Sequence, residues 1–152
     1  MKKILLLLTL IIFTSCISRN NEKYVLNEST VILRAKFFKI ETKNGIHIYH
    51  FKNDAIEGVF VKASDSILTN SNFRKIKLNK KYTLVLNKQL SYASCFGTET
   101  EEVSYTENNV LVWQTGMKSS YFVDCENIIG KKINPRFTLI KYIDPKEPKN
   151  TK

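Results

Sequence analysis

The chain has 152 residues, 43% of them hydrophobic and 11% aromatic, which is ordinary globular composition with enough apolar side chains for one core. Its length leaves room for one domain and excludes an array of domains. Lysine and arginine number 24 against 14 aspartate and glutamate, for a net charge of +10. Such a charge favours solubility and attraction to anionic surfaces, and it carries no information about the fold.

The first fifteen residues predict a removable export signal. Two lysines, Lys2 and Lys3, precede an apolar run over residues 4–13. About twenty apolar residues are needed to cross a bilayer, so this run is too short to span one. A basic start followed by a short apolar stretch is typical of a secretory signal peptide. Its removal also takes away both lysines and lowers the net charge to about +8.

The signal ends in Phe13-Thr14-Ser15-Cys16, which resembles the lipobox of bacterial lipoproteins. The resemblance covers the first sixteen residues, and Phe13 departs from the usual leucine. It implies cleavage before Cys16 and attachment of a diacylglyceryl group, with fatty acids such as palmitate, to the Cys16 thiol. Ser18 stands where the family's sorting rules place a retaining aspartate, so the resemblance implies the outer membrane, facing the periplasm. The alternative is an ordinary cleaved signal with an incidental cysteine.

Polarity divides the remaining chain into three parts. Residues 16–29 are polar with little periodicity, and we interpret them as a lipidated N-terminus and flexible tether. Residues 30–143 form the predicted single β domain. Residues 144–152 are a polar tail, which predicts no regular structure.

The first half of the domain alternates with period two, which predicts strands. Val31, Leu33, Ala35 and Phe37 share one face, after which Phe38 and Ile40 continue on the other. Two adjacent phenylalanines at this change of phase predict a bulge. Asn44-Gly45 predicts a hairpin turn into a strand over residues 46–51, and residues 57–63 predict a third strand.

Shorter strands follow. Residues 63–71 are polar and predict a loop or a short helical turn. Residues 73–86 contain two short apolar runs that predict strands, with a tight turn between them at Asn79. Gly130 predicts a similar tight turn. Residues 110–115, 121–125 and 137–143 bring the total to about eight strands. With at most one short helix, the pattern predicts an all-β fold, a small antiparallel barrel or sandwich, and it resembles an OB-fold.

Two cysteines remain once Cys16 carries the lipid. An even number in an exported domain predicts a disulfide between Cys95 and Cys125. Its loop of about thirty residues would stabilise the fold by roughly 3–4 kcal/mol in the chain-entropy model. Two buried free thiols or a metal pair are the alternatives.

No catalytic or metal-binding pattern emerges from the remaining residues. His47 and His50 are the only histidines, and strand alternation places positions three apart on opposite faces, so they cannot share one ion. No Gly-x-Ser-x-Gly, phosphate-binding glycine loop or His-Glu-x-x-His is present. We therefore predict a protein that is not an enzyme and has no metal or cofactor.

Two charged segments are candidates for binding. Lys75, Lys77, Lys80 and Lys81, with Arg74 and Lys88, form a basic run interleaved with Ile76, Leu78 and Tyr82. Such a run can bind nucleic acid on a barrel, but outside the cytoplasm anionic lipid headgroups or polysaccharide are the expected partners. Strand alternation places Lys75 and Lys77 on one face and Arg74, Ile76 and Leu78 on the other. Lys36 and Lys118 lie outside this run in sequence and are the comparison sites for charge-reversal experiments. The alternative is a solvated face that keeps the sheet soluble.

The second charged segment, residues 97–109, carries four glutamates without a basic residue. It predicts a loop or frayed hairpin that is either solvated or directed at a partner.

Together these features predict an exported, lipid-anchored binding or envelope-accessory module whose ligand is an anionic envelope surface or a protein partner. One alternative is an inhibitor of a secreted hydrolase, because small lipoproteins that inhibit lysozyme are disulfide-bearing barrels of similar size. Their inhibitory Ser-Gly loop is not matched, since the nearest segment here is Ser119-Ser120-Tyr121. A basic chain is also repelled by basic lysozyme. The other alternative is a hydrolase with an unrecognised site.

Overall fold

The structure is a computed structural model that describes residues 21–64, 72–88 and 103–141. The predicted signal, Cys16, residues 65–71, Cys95 and the polar tail lie outside these ranges. The described residues contain thirteen strands: β1 (Glu22–Leu26), β2 (Thr30–Lys43), β3 (Ile46–Lys52), β4 (Glu57–Ala63), β5 (Arg74–Lys75), β6 (Lys81–Asn87), β7 (Ser104–Glu107), β8 (Val110–Gln114), β9 (Ser120–Tyr121), β10 (Asp124–Cys125), β11 (Ile128–Ile129), β12 (Lys132–Ile133) and β13 (Phe137–Lys141). The predicted all-β class is confirmed. No helix in the described ranges is long and apolar enough to cross a membrane.

The centre of the fold is an antiparallel meander of β2, β3 and β4. The register of β2 against β3 shifts between Phe37 and Lys39, which confirms the predicted bulge. Because Phe38 is the extra residue, Ile40 packs against the same core as Phe37, whereas the sequence predicted opposite faces. Asn44 and Gly45 have φ values of 46° and 76°, as the predicted hairpin turn requires.

A six-stranded sheet in the order β10-β6-β2-β3-β4-β9 curls into a half-barrel. Both of its edges belong to residues 120–125, because β9 pairs parallel with β4 and β10 pairs antiparallel with β6. Between these pairings the Phe122 amide donates to the Val59 carbonyl and the Val123 amide to the Asn87 carbonyl, both at 2.9 Å. The predicted single strand over this segment is therefore two short strands, which span the open side of the sheet in an OB-like arrangement.

The main core lies on the concave face of the sheet. It combines Phe37, Tyr49, Phe51 and Phe60 with aliphatic side chains from β6, and all four rings are fully buried. Phe51 pairs with Gly58 across β3 and β4, and a Cβ atom at Gly58 would overlap the Phe51 ring. Glycine is therefore required here to admit the ring.

A second core covers the other face of β3 and β4. Ile46, Ile48 and Val59 pack there against Val112 of the β7–β8 hairpin, with Trp113 at the margin. This hairpin occupies the end of the acidic segment that the sequence predicts as a loop or frayed hairpin. Because β3 is covered on both faces, its side chains are almost continuously buried.

A small sheet of β11, β12 and β5 packs against the main core. It is linked to the barrel by the fully buried Asn127, whose amide oxygen accepts from the Val85 amide at 3.1 Å. The Asn127 amide group donates to the carbonyls of Thr83 at 2.9 Å and Asn134 at 3.2 Å. A buried amide with these partners fixes the small sheet at one position relative to β6.

The N-terminal part of the described chain corrects the prediction of a flexible tether over residues 16–29. Residues 22–26 form β1, which pairs in parallel with β13 through five residue pairs. Tyr24 also packs edge-on against Phe137, with 5.4 Å between ring centroids. The ordered fold therefore begins well before Thr30, and the segment that can act as a tether is shorter than predicted.

Candidate anion-binding site

A cleft of about 390 Å³ opens beside the small sheet, and six basic side chains line it. They are Arg34, Arg74 and the four residues Lys75, Lys77, Lys80 and Lys81, which we call the cleft lysines. All six are exposed. The structure thus brings the four predicted lysines to one cleft, and it adds Arg34 from β2. Lys88 of the same basic run does not line the cleft.

The turn that carries the cleft lysines is fixed to three parts of the fold. The Ile76 amide donates to the Lys131 carbonyl at 3.0 Å, and the Asn79 amide donates to the Phe37 carbonyl at 2.8 Å. The Lys77 amide donates to the Tyr82 hydroxyl at 2.9 Å. These bonds hold the lysine backbones in place before any ligand arrives, which reduces the entropy lost on binding.

This turn differs from the strand that the sequence predicts over residues 74–78. The strand ends at Lys75, Ile76 is buried in the core, and Leu78 is 51% exposed. Asn79 has a φ of 62°, the left-handed conformation that its position as the predicted hinge requires. The lysines therefore converge because the chain turns, whereas strand alternation would have separated them from Arg74.

Arg34 joins the cleft because of the register between β2 and β6. Tyr82, Leu84 and Leu86 are buried, so Lys81 and Thr83 face outward. Arg34 pairs directly with Thr83 and Lys36 with Lys81, so both β2 cations lie on the same outer face. Lys36 also pairs with Lys52 of β3, which places three lysines in a row across three strands.

The lysine row changes the interpretation of Lys36, which the sequence suggested as a scattered comparison site. Lys36 is the direct neighbour of a cleft lysine. Lys118, in the turn after β8, remains a suitable comparison site because it does not line the cleft.

The charges of the cleft are not neutralised by nearby carboxylates within the described ranges. The ion pairs there involve Lys39, Lys43 and His50 with Glu41, and Lys62 with Asp124. None of the six basic residues of the cleft has a described carboxylate oxygen within 4.0 Å. Like charges at close range without counterions produce a positive potential that attracts anions.

A second cleft of about 420 Å³ adjoins the first and shares Arg34 and Lys81 with it. Its remaining lining is the turn of Asn53, Asp54 and Ala55 between β3 and β4. The Asn53 side-chain oxygen accepts from the amides of Ala55 at 2.9 Å and Ile56 at 2.8 Å, which fixes the turn. Asp54 is exposed and adds a carboxylate to a lining that also holds the two shared cations.

The two histidines lie apart from both clefts and contact different partners. His47 Nδ1 lies 2.9 Å from the Thr42 hydroxyl, and burial lowers the pKa of its imidazole. His50 Nε2 lies 3.2 Å from Glu41, and burial lowers its pKa although the carboxylate acts in the opposite direction. In the part of the chain that the structure describes, no three metal-ligating side chains come together.

Glu41 is the centre of a cationic cluster on β2. Its carboxylate lies 2.8 Å from Lys39 Nζ and 3.2 Å from Lys43 Nζ. The hydrogen bond from Lys39, with further help from Lys43, lowers the pKa of Glu41 to about 2. These two lysines, unlike the cleft lysines, share a carboxylate counterion, which offsets one of their two charges.

Cys125 is fully buried with a free thiol, which donates to the Asn127 side-chain oxygen at 3.3 Å. Burial raises the pKa of this thiol, so the neutral form is favoured. Its predicted partner Cys95 lies outside the described residues, and the disulfide stays a prediction.

Comparison with known proteins adds no family to this description. No protein-family model, curated protein or solved structure matches the chain.

Proposed function

We propose that this protein is an exported lipoprotein, anchored through Cys16, that acts as a non-enzymatic binding module for the anionic surface of the envelope. The observation that carries the proposal is the cleft with six basic side chains, whose nitrogen atoms have no described carboxylate oxygen within 4.0 Å. A lysine or arginine near an anionic membrane surface contributes about 1 kcal/mol of attraction. The cleft lysines together are therefore sufficient for measurable binding to anionic headgroups.

The position of β1 supports a cleft that works close to the bilayer. Glu22, at the start of β1, accepts a hydrogen bond from the Asn134 amide group at 3.0 Å. Asn134 stands between Ile133 and Pro135, which both line the cleft. Six residue steps connect Cys16 to Glu22, so a lipid on Cys16 stays within about 22 Å of this contact. A lipid anchor at this distance gives the cleft a high effective concentration of headgroups.

Binding to vesicles tests the role of the cleft. Residues 17–152 contain every described residue and no lipidation site. We expect this chain to sediment with vesicles of phosphatidylglycerol at low salt, to remain free with phosphatidylcholine, and to be released as salt shortens the Debye length. Reversal of the cleft lysines to glutamate should abolish sedimentation. The matched control reverses four lysines that do not line the cleft, Lys23, Lys88, Lys118 and Lys141.

Equal losses from the two sets of substitutions would show that net charge alone drives binding, and the cleft would have no function of its own.

The anchor is tested separately by intact-mass analysis of the membrane fraction. The expected species begins at Cys16 and carries acyl mass, and the Cys16→Ser chain should lose it. A soluble, unmodified chain that begins at or after Ile17 would contradict lipidation.

A further inference from the structure

We call the two adjoining clefts together the groove, and its two ends have unlike linings. They share Arg34 and Lys81, which belong to the adjacent strands β2 and β6. One end carries the other cations, Arg74 and three of the cleft lysines, whereas the far end carries the carboxylate of Asp54. A ligand that only needed negative charge would gain from the first end and be repelled by Asp54.

The far end still offers a hydrogen-bond acceptor. Within the described residues Asp54 has no ion pair and no side-chain hydrogen bond, so its carboxylate oxygens can accept from a ligand. The neighbouring Asn53 oxygen, in contrast, is already occupied by two backbone amides. The turn therefore presents Asp54 in a fixed place, and Asn53 serves to hold the turn.

We propose that the groove binds a phosphorylated sugar, with the phosphate among the cleft lysines and sugar hydroxyls donating to Asp54. This inference rests on the proposed function and names the ligand class of the same site. Neutral hydroxyl donors suit Asp54 because Arg34 and Lys81 line the same cleft and would repel a ligand ammonium group. The lysines and arginines supply the charge-assisted hydrogen bonds that phosphate oxygens accept.

The size of the groove also favours a sugar phosphate over a bare ion. Each cleft has a volume of about 400 Å³, within the range of about 300–1,000 Å³ that is typical of small-molecule sites. A phosphate ion would occupy one end only and leave the Asp54 turn without a ligand contact. The sugar phosphate could belong to a membrane glycolipid or to a soluble glycan, since both carry the same chemistry.

Calorimetric titration of the full chain in neutral detergent tests the inference. The probes are glucose 1-phosphate, inorganic phosphate and glucose. We expect glucose 1-phosphate to bind more tightly than inorganic phosphate, and glucose to bind least. Asp54→Asn should weaken glucose 1-phosphate by about tenfold, because a charge-assisted hydrogen bond is lost. The same variant should leave inorganic phosphate unchanged or tighten it, because a repelling charge is removed.

The supporting result is that Asp54→Asn weakens the binding of glucose 1-phosphate and does not weaken the binding of inorganic phosphate. Glu28→Gln, which removes an exposed carboxylate away from the groove, should change neither affinity by more than twofold. Asp54→Asn tightening both probes alike would overturn the sugar inference and leave the proposed function intact. Absence of glucose 1-phosphate binding in a chain that binds phosphatidylglycerol vesicles would also overturn it. Absence of binding to all phosphate probes and to vesicles would overturn the proposed function as well.

Discussion

Lys36 lies between Lys81 of β6 and Lys52 of β3, each its direct partner in the register. Directly opposed side chains in a sheet have Cβ atoms about 5 Å apart, and like charges at this range are destabilising. Replacement by glutamine removes both repulsions. We therefore expect Lys36→Gln to raise the free energy of unfolding, whereas most surface substitutions change it little.

The magnitude follows from the two cross-strand pairs. Each such pair changes stability by roughly 0.2–1 kcal/mol, so Lys36→Gln should gain about 0.5–2 kcal/mol at low ionic strength. The Debye length falls from about 10 Å at 0.1 M salt to about 3 Å at 1 M, so most of the gain should disappear at high salt. Lys118→Gln, in an exposed turn, removes the same charge without a lysine partner in the described sheets and should gain little.

Urea unfolding at both salt concentrations measures these differences, with Trp113 as the single tryptophan reporter. The same substitution should also weaken sedimentation with anionic vesicles, because Lys36 adjoins a cleft lysine. Stability and binding would then change in opposite directions, as expected where a strained charge arrangement serves a ligand. A loss of stability in Lys36→Gln, or an equal gain at both salts, would refute the argument from repulsion.

Three further predictions concern the fold. Gly58→Ala should destabilise the protein by about 1–3 kcal/mol or more in urea unfolding, because the new Cβ overlaps the Phe51 ring. The double variant Gly58→Ala/Phe51→Ala should lose less stability than the sum of the losses in the two single variants, because the smaller side chain removes the overlap. Strictly additive losses would contradict the clash. The lowered pKa of Glu41 means that its carboxylate stabilises the fold above its ordinary pKa of about 4.5, and that this contribution is lost as the pH falls toward about 2. The difference in stability between the wild type and Glu41→Gln should accordingly shrink as the pH falls from about 4.5 toward about 2, and a constant difference over this range would count against it. Non-reducing peptide mapping tests the predicted disulfide: recovery of Cys95 linked to Cys125 would confirm it, whereas alkylation of both thiols without reduction would agree with the free Cys125 thiol of the structure and exclude the bridge.

Local chemistry made the first half of the fold predictable. Asn44-Gly45 adopts the left-handed conformation that a tight hairpin requires, and few other residue pairs do so without strain. The adjacent Phe37 and Phe38 marked the bulge because alternation fails at that point. Alternation alone did not predict the face on which Ile40 lies. Only the pairing of β2 with β3 shows that the bulge returns Ile40 to the core.

Pairings between distant segments were not predictable in the same way. β1 has the sequence Glu-Lys-Tyr-Val-Leu, in which polar and apolar residues do not alternate, and it pairs with β13 more than a hundred residues later. The sequence predicts one strand over residues 121–125, which begin with three consecutive apolar residues, Tyr121-Phe122-Val123. The division into β9 and β10 arises because the segment leaves one edge of the sheet and joins the other, and only the closed sheet contains that information.

Prediction of the groove depends on both local sequence and distant pairings. The cleft lysines are close together in sequence, so the sequence alone predicts them as a basic cluster. Arg34 lies far from them in sequence, and it joins the groove because burial of Ala35 and Phe37 on one side of β2 directs Arg34 and the adjoining Lys36 outward. Burial of alternate residues in β6 directs Lys81 to the same outer face. The packing of the core thus determines which cations meet at the surface, so a substitution that slipped β2 by one residue against β6 would separate the cations without removing any of them.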